Sequence, residues 1–199
     1  MILVVGAMHE ELSDITKHPI VGITVLQTGI GKVNAALQLS KYLATHQVDA
    51  IYNLGFAGAS NHYQVNDVVM INQSRYHDFD LTFFGYAHGQ VPGMPEVFTS
   101  NPLLLQSANE KLNDMKKGEL FTGDYFMTAG KENPFVVDME GAALYHVAHH
   151  YQVPIISIKV ISDILGMNDH KASYKAFEAS QGAKALLNVY LKLFEGGSL

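Results

Sequence analysis

Two stretches of this chain hand an apolar strand to a helix with carboxylates at the junction. In Phe135-Val-Val-Asp-Met-Glu-Gly-Ala-Ala143 an apolar run ends in Asp138, Met139 and Glu140, and a helical pattern follows. Val153-Pro-Ile-Ile-Ser-Ile-Lys-Val-Ile161 then runs into Ser162-Asp163, which puts a third acid at the end of the next buried strand, 23 residues beyond Glu140. Runs this short and this apolar belong to strands covered on both faces. In α/β sheets the strand-to-helix edge is where ligands bind. Asp138 and Glu140 together could hold paired hydroxyls such as those of a ribose.

The rest of the chain repeats the alternation. Ile2–Val5, Gly22–Leu26, Ala50–Leu54, Asp67–Asn72, Leu120–Thr122 and Pro154–Ile161 read as strands. Helices are expected near His9–Lys17 and over Val33–His46, Leu103–Leu112, Ala142–Tyr151 and Tyr174–Phe194. Ala36, Leu39 and Leu43 give the second helix an apolar face, and Ala183, Leu187, Leu191 and Phe194 give the last one its own. Arg75 to Pro95, rich in aromatics, Gly and Pro, reads as a long ordered loop. Such alternation predicts one α/β domain over residues 1–199, with a mostly parallel, twisted central sheet flanked by helices.

Composition removes several classes of function. A net charge of −6 and no long basic run argue against nucleic acid as a partner. Cysteine is absent, so thiolate and disulfide chemistry are excluded. Residues 1–5 are apolar but too short for a signal peptide, and no stretch approaches the ~20 residues that span a bilayer. A soluble, cytoplasmic protein that touches no membrane is expected.

Each motif by itself has a plain structural reading. Gly29-Ile-Gly31-Lys32 lacks the third glycine of a dinucleotide fingerprint and the Walker spacing, so a tight turn that brings backbone close to a ligand suffices. His146, His149 and His150 share a helix at i, i+3 and i+4 but have no acid or Cys beside them in sequence, which suits a solvated face; no metal is expected. Asp163 could cap a following helix. Phe126 and Met127 could be core.

Together and in order, the motifs say more. Gly6-Ala-Met-His-Glu-Glu11, Thr28-Gly-Ile-Gly-Lys32, Asn53-Leu-Gly-Phe-Ala-Gly58, Arg75-Tyr-His-Asp78, Phe84-Gly-Tyr-Ala-His-Gly-Gln-Val-Pro-Gly93, Thr122-Gly-Asp124, Val137-Asp-Met-Glu140 and Ile161-Ser-Asp163 resemble the 5′-methylthioadenosine/S-adenosylhomocysteine nucleosidases of the purine nucleoside phosphorylase superfamily. The resemblance runs from residue 1 to about 194. It implies a nucleoside phosphorylase-like fold and hydrolysis of the N-glycosidic bond of an adenine nucleoside, without a cofactor.

That reaction needs an acid on the purine N7, a base on water at the opposite ring face, and an anchor for the sugar, the logic of an inverting glycosidase. The resemblance assigns these to Asp163 with Ser162 beside it, to Glu11, and to Glu140 with Met139. It also implies that Phe126 stacks on the base and that the backbone of Met127 meets the adenine edge. Ile30, Tyr174 and Phe177 would enclose a 5′-alkylthio group. Phe84, Tyr86 and Pro92 match a loop lent to the neighbouring subunit's site, which implies a homodimer.

The sequence departs from the family pattern in places. The segments between Glu11 and Thr28 and between Met127 and Val137 are short. Phe56 stands where Ser is usual, Lys159 where Arg is usual, and His9 where Glu is usual. A futalosine-type hydrolase, a phosphorolytic enzyme and a noncatalytic nucleoside binder are the competing readings. A phosphorylase needs an arginine-lined anion pocket, and this chain has one arginine, Arg75.

Overall fold

The apolar runs become strands and the amphipathic stretches become helices, in the alternating order expected. The structure, a computed structural model, describes residues 1–113, 115–128, 133–167, 170–177 and 181–195. The strands are β1 (Ile2–Gly6), β2 (Ile23–Gln27), β3 (Ala50–Ala59), β4 (Val68–Tyr76), β5 (Phe98–Thr99), β6 (Lys116–Thr122), β7 (Val136–Asp138) and β8 (Ile155–Ile164). The helices are α1 (His9–Thr16), α2 (Lys32–Leu43), α3 (Pro102–Leu112), α4 (Gly141–Tyr151), α5 (His170–Phe177) and α6 (Ala183–Phe194), with a 3₁₀ turn at Thr82–Phe84.

The sheet differs from the expectation in one important way: it is mixed, and it closes on itself. Parallel pairings join β1 to β2 and β3, β3 to β8, β4 to β6, and β6 to β7. Antiparallel pairings join β3 to β7, β4 to β5, and β4 to β8. Followed round, β3, β7, β6, β4 and β8 form a ring, with β1 and β2 extending it beyond β3 and β5 beyond β4. One apolar cluster draws on all five ring strands: Ala57, Ala59, Val69, Ile71, Leu120, Val136, Ile161 and Ile164, joined by Tyr63. A face shared by every strand of a ring is its inside, so this cluster fills the barrel.

Strand length makes the closure possible. β3 and β8 run well past Leu54 and Ile161, where the apolar reading ends, so both Gly55-Phe-Ala-Gly58 and Ser162-Asp163 lie within strands. Between them the register slips: Ala57 pairs with Ile161 but Gly58 pairs with Asp163. Such a bulge bends and twists a strand and helps a sheet curl. β4 likewise extends through Tyr76, so the long loop starts only at His77.

Two further expectations change. The expected terminal helix is described as α5 and α6, with residues 181 and 182 already helical ahead of α6; residues 178–180 lie outside those described. The buried face of α6 is Leu186, Val189, Tyr190, Leu193 and Phe194, with Ala183, Leu187 and Leu191 only half-buried at its margin. A helix apolar over most of its circumference does not fix its own phase. On α2, Ala35 rather than Ala36 joins Leu39 and Leu43 in the core. Among the described residues no helix is long and apolar enough to cross a membrane.

Candidate active site

Glu11 sits at the third position of α1 and turns back on the chain that precedes it. Its Oε2 accepts the N–H groups of Ala7 at 2.7 Å and Met8 at 2.9 Å, half of a capping box. Its Oε1 accepts the N–H of Phe56 on β3 at 2.7 Å. Gly55 makes this approach possible, because a Cβ there would stand 2.7 Å from Oε1. Glu11 is therefore buried, with 3% of its surface exposed. Burial pushes its carboxyl above the usual glutamate range, against the pull of Lys159 and the three amides.

The two carboxylates of Val137-Asp-Met-Glu140 divide their work. Asp138 is fully occupied. Its Oδ1 accepts the Thr122 hydroxyl at 2.6 Å, both oxygens accept the Gly141 N–H at 3.1 and 3.0 Å, and Oδ2 pairs with the Lys159 ammonium at 2.9 Å. It caps α4 and neutralises a buried cation, so the expected pair of hydroxyl-holding carboxylates reduces to Glu140. Glu140 Oε1 accepts the N–H of Gly31 at 2.8 Å. Burial, then the charge of Asp138, pushes its pKa up to about 8, with Gly31 and Lys159 opposing. Lys159 is also buried, which alone would lower its pKa. The charges of Asp138, Glu11 and Glu140 outweigh that and hold the ammonium above the usual lysine value. A lone lysine inside the apolar run of β8 was the sequence signal for this buried cation.

Asp163 is carried by β8 itself and is 2% exposed. The Ser162 hydroxyl lies 2.6 Å from Asp163 Oδ1 and 3.1 Å from the Ala57 carbonyl. Asp163 lies within β8, seven residues before the start of α5.

One cavity of about 250 Å³ brings these groups together. Glu11, Asp138, Glu140, Ser162 and Asp163 line it, with Met139 and Phe56. Ile30, Phe126, Met127 and Tyr174 supply an apolar side, to which Met8 and Tyr125 add. Phe126 meets Tyr174 edge-on at 5.9 Å, and the Tyr174 hydroxyl points at the Met8 sulfur at 3.5 Å. Phe177 does not line the cavity. It lies buried behind Phe56, edge-on at 5.2 Å, in the core cluster shared with α6. Phe84, Tyr86 and Pro92 are exposed and are not part of this chain's own cavity. Among the histidines, His146 bonds the Tyr76 hydroxyl at 3.1 Å, well away from the cavity lining.

The arrangement offers buried carboxyl groups of Glu11, Glu140 and Asp163, two of them held by backbone amides, and an apolar wall for a flat ring or an alkyl tail. Known proteins resemble this chain along almost its whole length. The sequence pattern of the phosphorylase superfamily matches residues 15–192. A 5′-methylthioadenosine/S-adenosylhomocysteine nucleosidase from Bacillus cytotoxicus is 35% identical over 228 aligned positions, covering 98% of each chain. The alignment exceeds the 199 residues present here, so that relative carries segments which this chain lacks. The Streptococcus pneumoniae enzyme of the same name, solved with a transition-state inhibitor, is 30% identical over 98% of each chain with a TM-score of 0.85. The futalosine hydrolase of Helicobacter pylori shares the fold, at 24% identity and a TM-score of 0.87 over 96% of each chain.

Proposed function

The chain belongs to the phosphorylase superfamily and, within it, to the 5′-methylthioadenosine/S-adenosylhomocysteine nucleosidases, and on that premise we propose how its cavity divides the work. The enzyme hydrolyses the N-glycosidic bond of an adenine nucleoside, releasing adenine and the thioribose sugar. Asp163 gives its proton to the purine N7. As the bond from the ribosyl carbon to N9 breaks, its electron pair stays on the base, and the N7 proton leaves adenine neutral. A water on the opposite ring face forms the new bond to carbon and loses its proton to Glu11. Solvent then returns the proton from Glu11 to Asp163.

A carboxyl whose pKa lies above the usual range is a stronger base once ionised, which fits Glu11 to its role. Glu140 holds the ribose hydroxyls. Burial and the charge of Asp138 favour its protonated form, and a carboxyl that keeps its proton can donate to one hydroxyl and accept from the other. Phe126 covers the base and the Met127 backbone meets its edge, while Ile30 and Tyr174 enclose the 5′ group, with Phe177 behind. Phe84, Tyr86 and Pro92 serve the neighbouring subunit. Phe83 and Phe84 are 92% and 70% exposed, apolar surface that a homodimer would cover. We read residues 1–199 as one domain that works in the cytoplasm.

The observation that carries the hydrolytic reading is the setting of Glu11. Its carboxylate lines the cavity, and among the described residues neither arginine nor lysine lines it. Arg75 is engaged elsewhere, with Glu119 at 3.1 Å. The Lys159 ammonium behind the wall is already shared among Asp138, Glu11 and Glu140, so a phosphate would still meet an excess of like charge, whereas water meets no such penalty. Incubation with 5′-methylthioadenosine should give free adenine and a reducing sugar at a rate indifferent to phosphate. A ribose 1-phosphate product, or a rate that rises in proportion to phosphate, would overturn this reading. A panel that includes futalosine would show which 5′ group is preferred.

A further inference from the structure

Three motif residues that the chemistry leaves unused meet outside the cavity. Lys32 opens α2, Asp78 follows β4 by two residues, and Asp124 follows β6 by two. The Lys32 ammonium contacts both Asp78 oxygens, at 2.7 and 2.6 Å, and stands 3.7 Å from Asp124 Oδ2. The backbone completes the cluster: the Lys32 N–H donates to Asp124 Oδ1 at 2.8 Å, and the Asp124 N–H donates to Asp78 Oδ2 at 2.8 Å. Three segments distant in sequence are thus tied by both charges and amides.

The neighbours of these residues form two lips of the cavity. Ile30 precedes Gly31 and Lys32, and Tyr125, Phe126 and Met127 follow Asp124; Ile30, Tyr125, Phe126 and Met127 line the cavity. Gly31 donates its N–H to Glu140 from a backbone at φ 92°, and a Cβ there would stand 3.3 Å from Asp124 Oδ1. Asp124 therefore holds the amide next to the one that orients Glu140. An ion pair with a bidentate contact and further amides to the same carboxylates is the geometry in which a partly exposed pair counts.

We propose that Lys32, Asp78 and Asp124 form a latch of positioning residues, fixing the Ile30–Gly31 lip against the Tyr125–Met127 lip so that Gly31 presents Glu140 to the sugar. None of the three touches the nucleoside. The inference rests on the nucleosidase reading and adds the elements that set its ribose site. Because the latch acts on the sugar's anchor and not on Asp163 or Glu11, its loss shows in binding before turnover.

The test is steady-state kinetics of Lys32→Met, Asp124→Ala and Lys32→Arg on 5′-methylthioadenosine, with melting curves for each. Lys32→Met and Asp124→Ala should raise KM about tenfold with kcat within about threefold, and Lys32→Arg should recover most of the loss. Wild-type KM should also rise with salt as the exposed flank of the latch is screened, and Lys32→Met should lose that dependence. Unchanged KM in both disrupting variants, equal losses in KM and kcat, or a Lys32→Arg as impaired as Lys32→Met would overturn the proposal. Should Lys32→Met fail to fold, Asp124→Ala, at a half-exposed position, and the wild-type salt series decide alone. Absence of hydrolysis by the wild type would instead refute the nucleosidase reading.

Discussion

The two walls of the cavity are built on opposite principles. On one side Glu11, Asp138, Glu140 and Asp163 are all nearly excluded from solvent, and Asp163 and the Lys159 behind it sit within a strand of the ring. Backbone N–H groups hold Glu11, Asp138 and Glu140 in place. On the other side Ile30, Tyr125 and Phe126 are about half exposed, stand on connecting segments, and make ring and edge contacts in place of directed hydrogen bonds. The carboxyl groups stand on buried strand and helix-start positions held by backbone amides; most of the groups that need only cover a ligand stand on loops.

The sharpest way to break this contrast is to remove the proton from the rigid wall. Asp163→Asn keeps a side chain of the same shape but delivers no proton, so kcat should fall ~10²–10⁴-fold, with the melting temperature little changed. Turnover within tenfold of wild type would remove the acid from the scheme. The loop wall should respond differently. Phe126→Ala should raise KM about tenfold through lost stacking while kcat changes by no more than about threefold. A kcat loss as large as that of Asp163→Asn would mean that the two walls share one task.

The smallest effect is one of stability. The pKa of Glu140 is raised in the folded chain to about 8 from an ordinary value of 4.5. The folded chain thus binds this proton more tightly than the unfolded chain. The stabilisation is complete below about 4.5 and is lost as pH climbs towards 8. Glu140→Gln keeps the Gly31 contact without the ionisation, so its stability should fall less over this window. At pH 9 it should melt above wild type by about 5 °C. Melting curves equally steep in pH for both proteins would place the slope on another group, with Glu11 the first alternative.

Much of the charged wall was legible in the sequence, and the reason is local. An acid at the end of an apolar run announces both a strand and its functional edge, so Glu140 and Asp163 stand out, and Glu11 follows from its motif. What the sequence hid is non-local. Whether Asp138 grips a sugar or a lysine depends on Lys159, 21 residues further on and brought beside it by the ring of strands. The closure of the sheet was equally invisible, because antiparallel partners such as β4 and β8 lie about 90 residues apart and carry no mark of their direction. Phe177 was misplaced because i, i+3 spacing states that two side chains are near one another, not that both face one void.

The slipped register in β3 and β8 has a consequence for how this chain can change. Side chains alternate along a strand, and Ser162 is the additional residue that lets Asp163 lie opposite Gly58. Loss of that one codon would turn Asp163 away from the cavity and remove the hydroxyl that meets its Oδ1. Between the elements, by contrast, the chain is shorter than its Bacillus cytotoxicus relative, and the sheet still stands. Length changes between the elements leave the sheet standing, whereas a one-residue change at Ser162 would shift the register that aims Asp163, so the demand for constant length falls inside the strand and not on the loops.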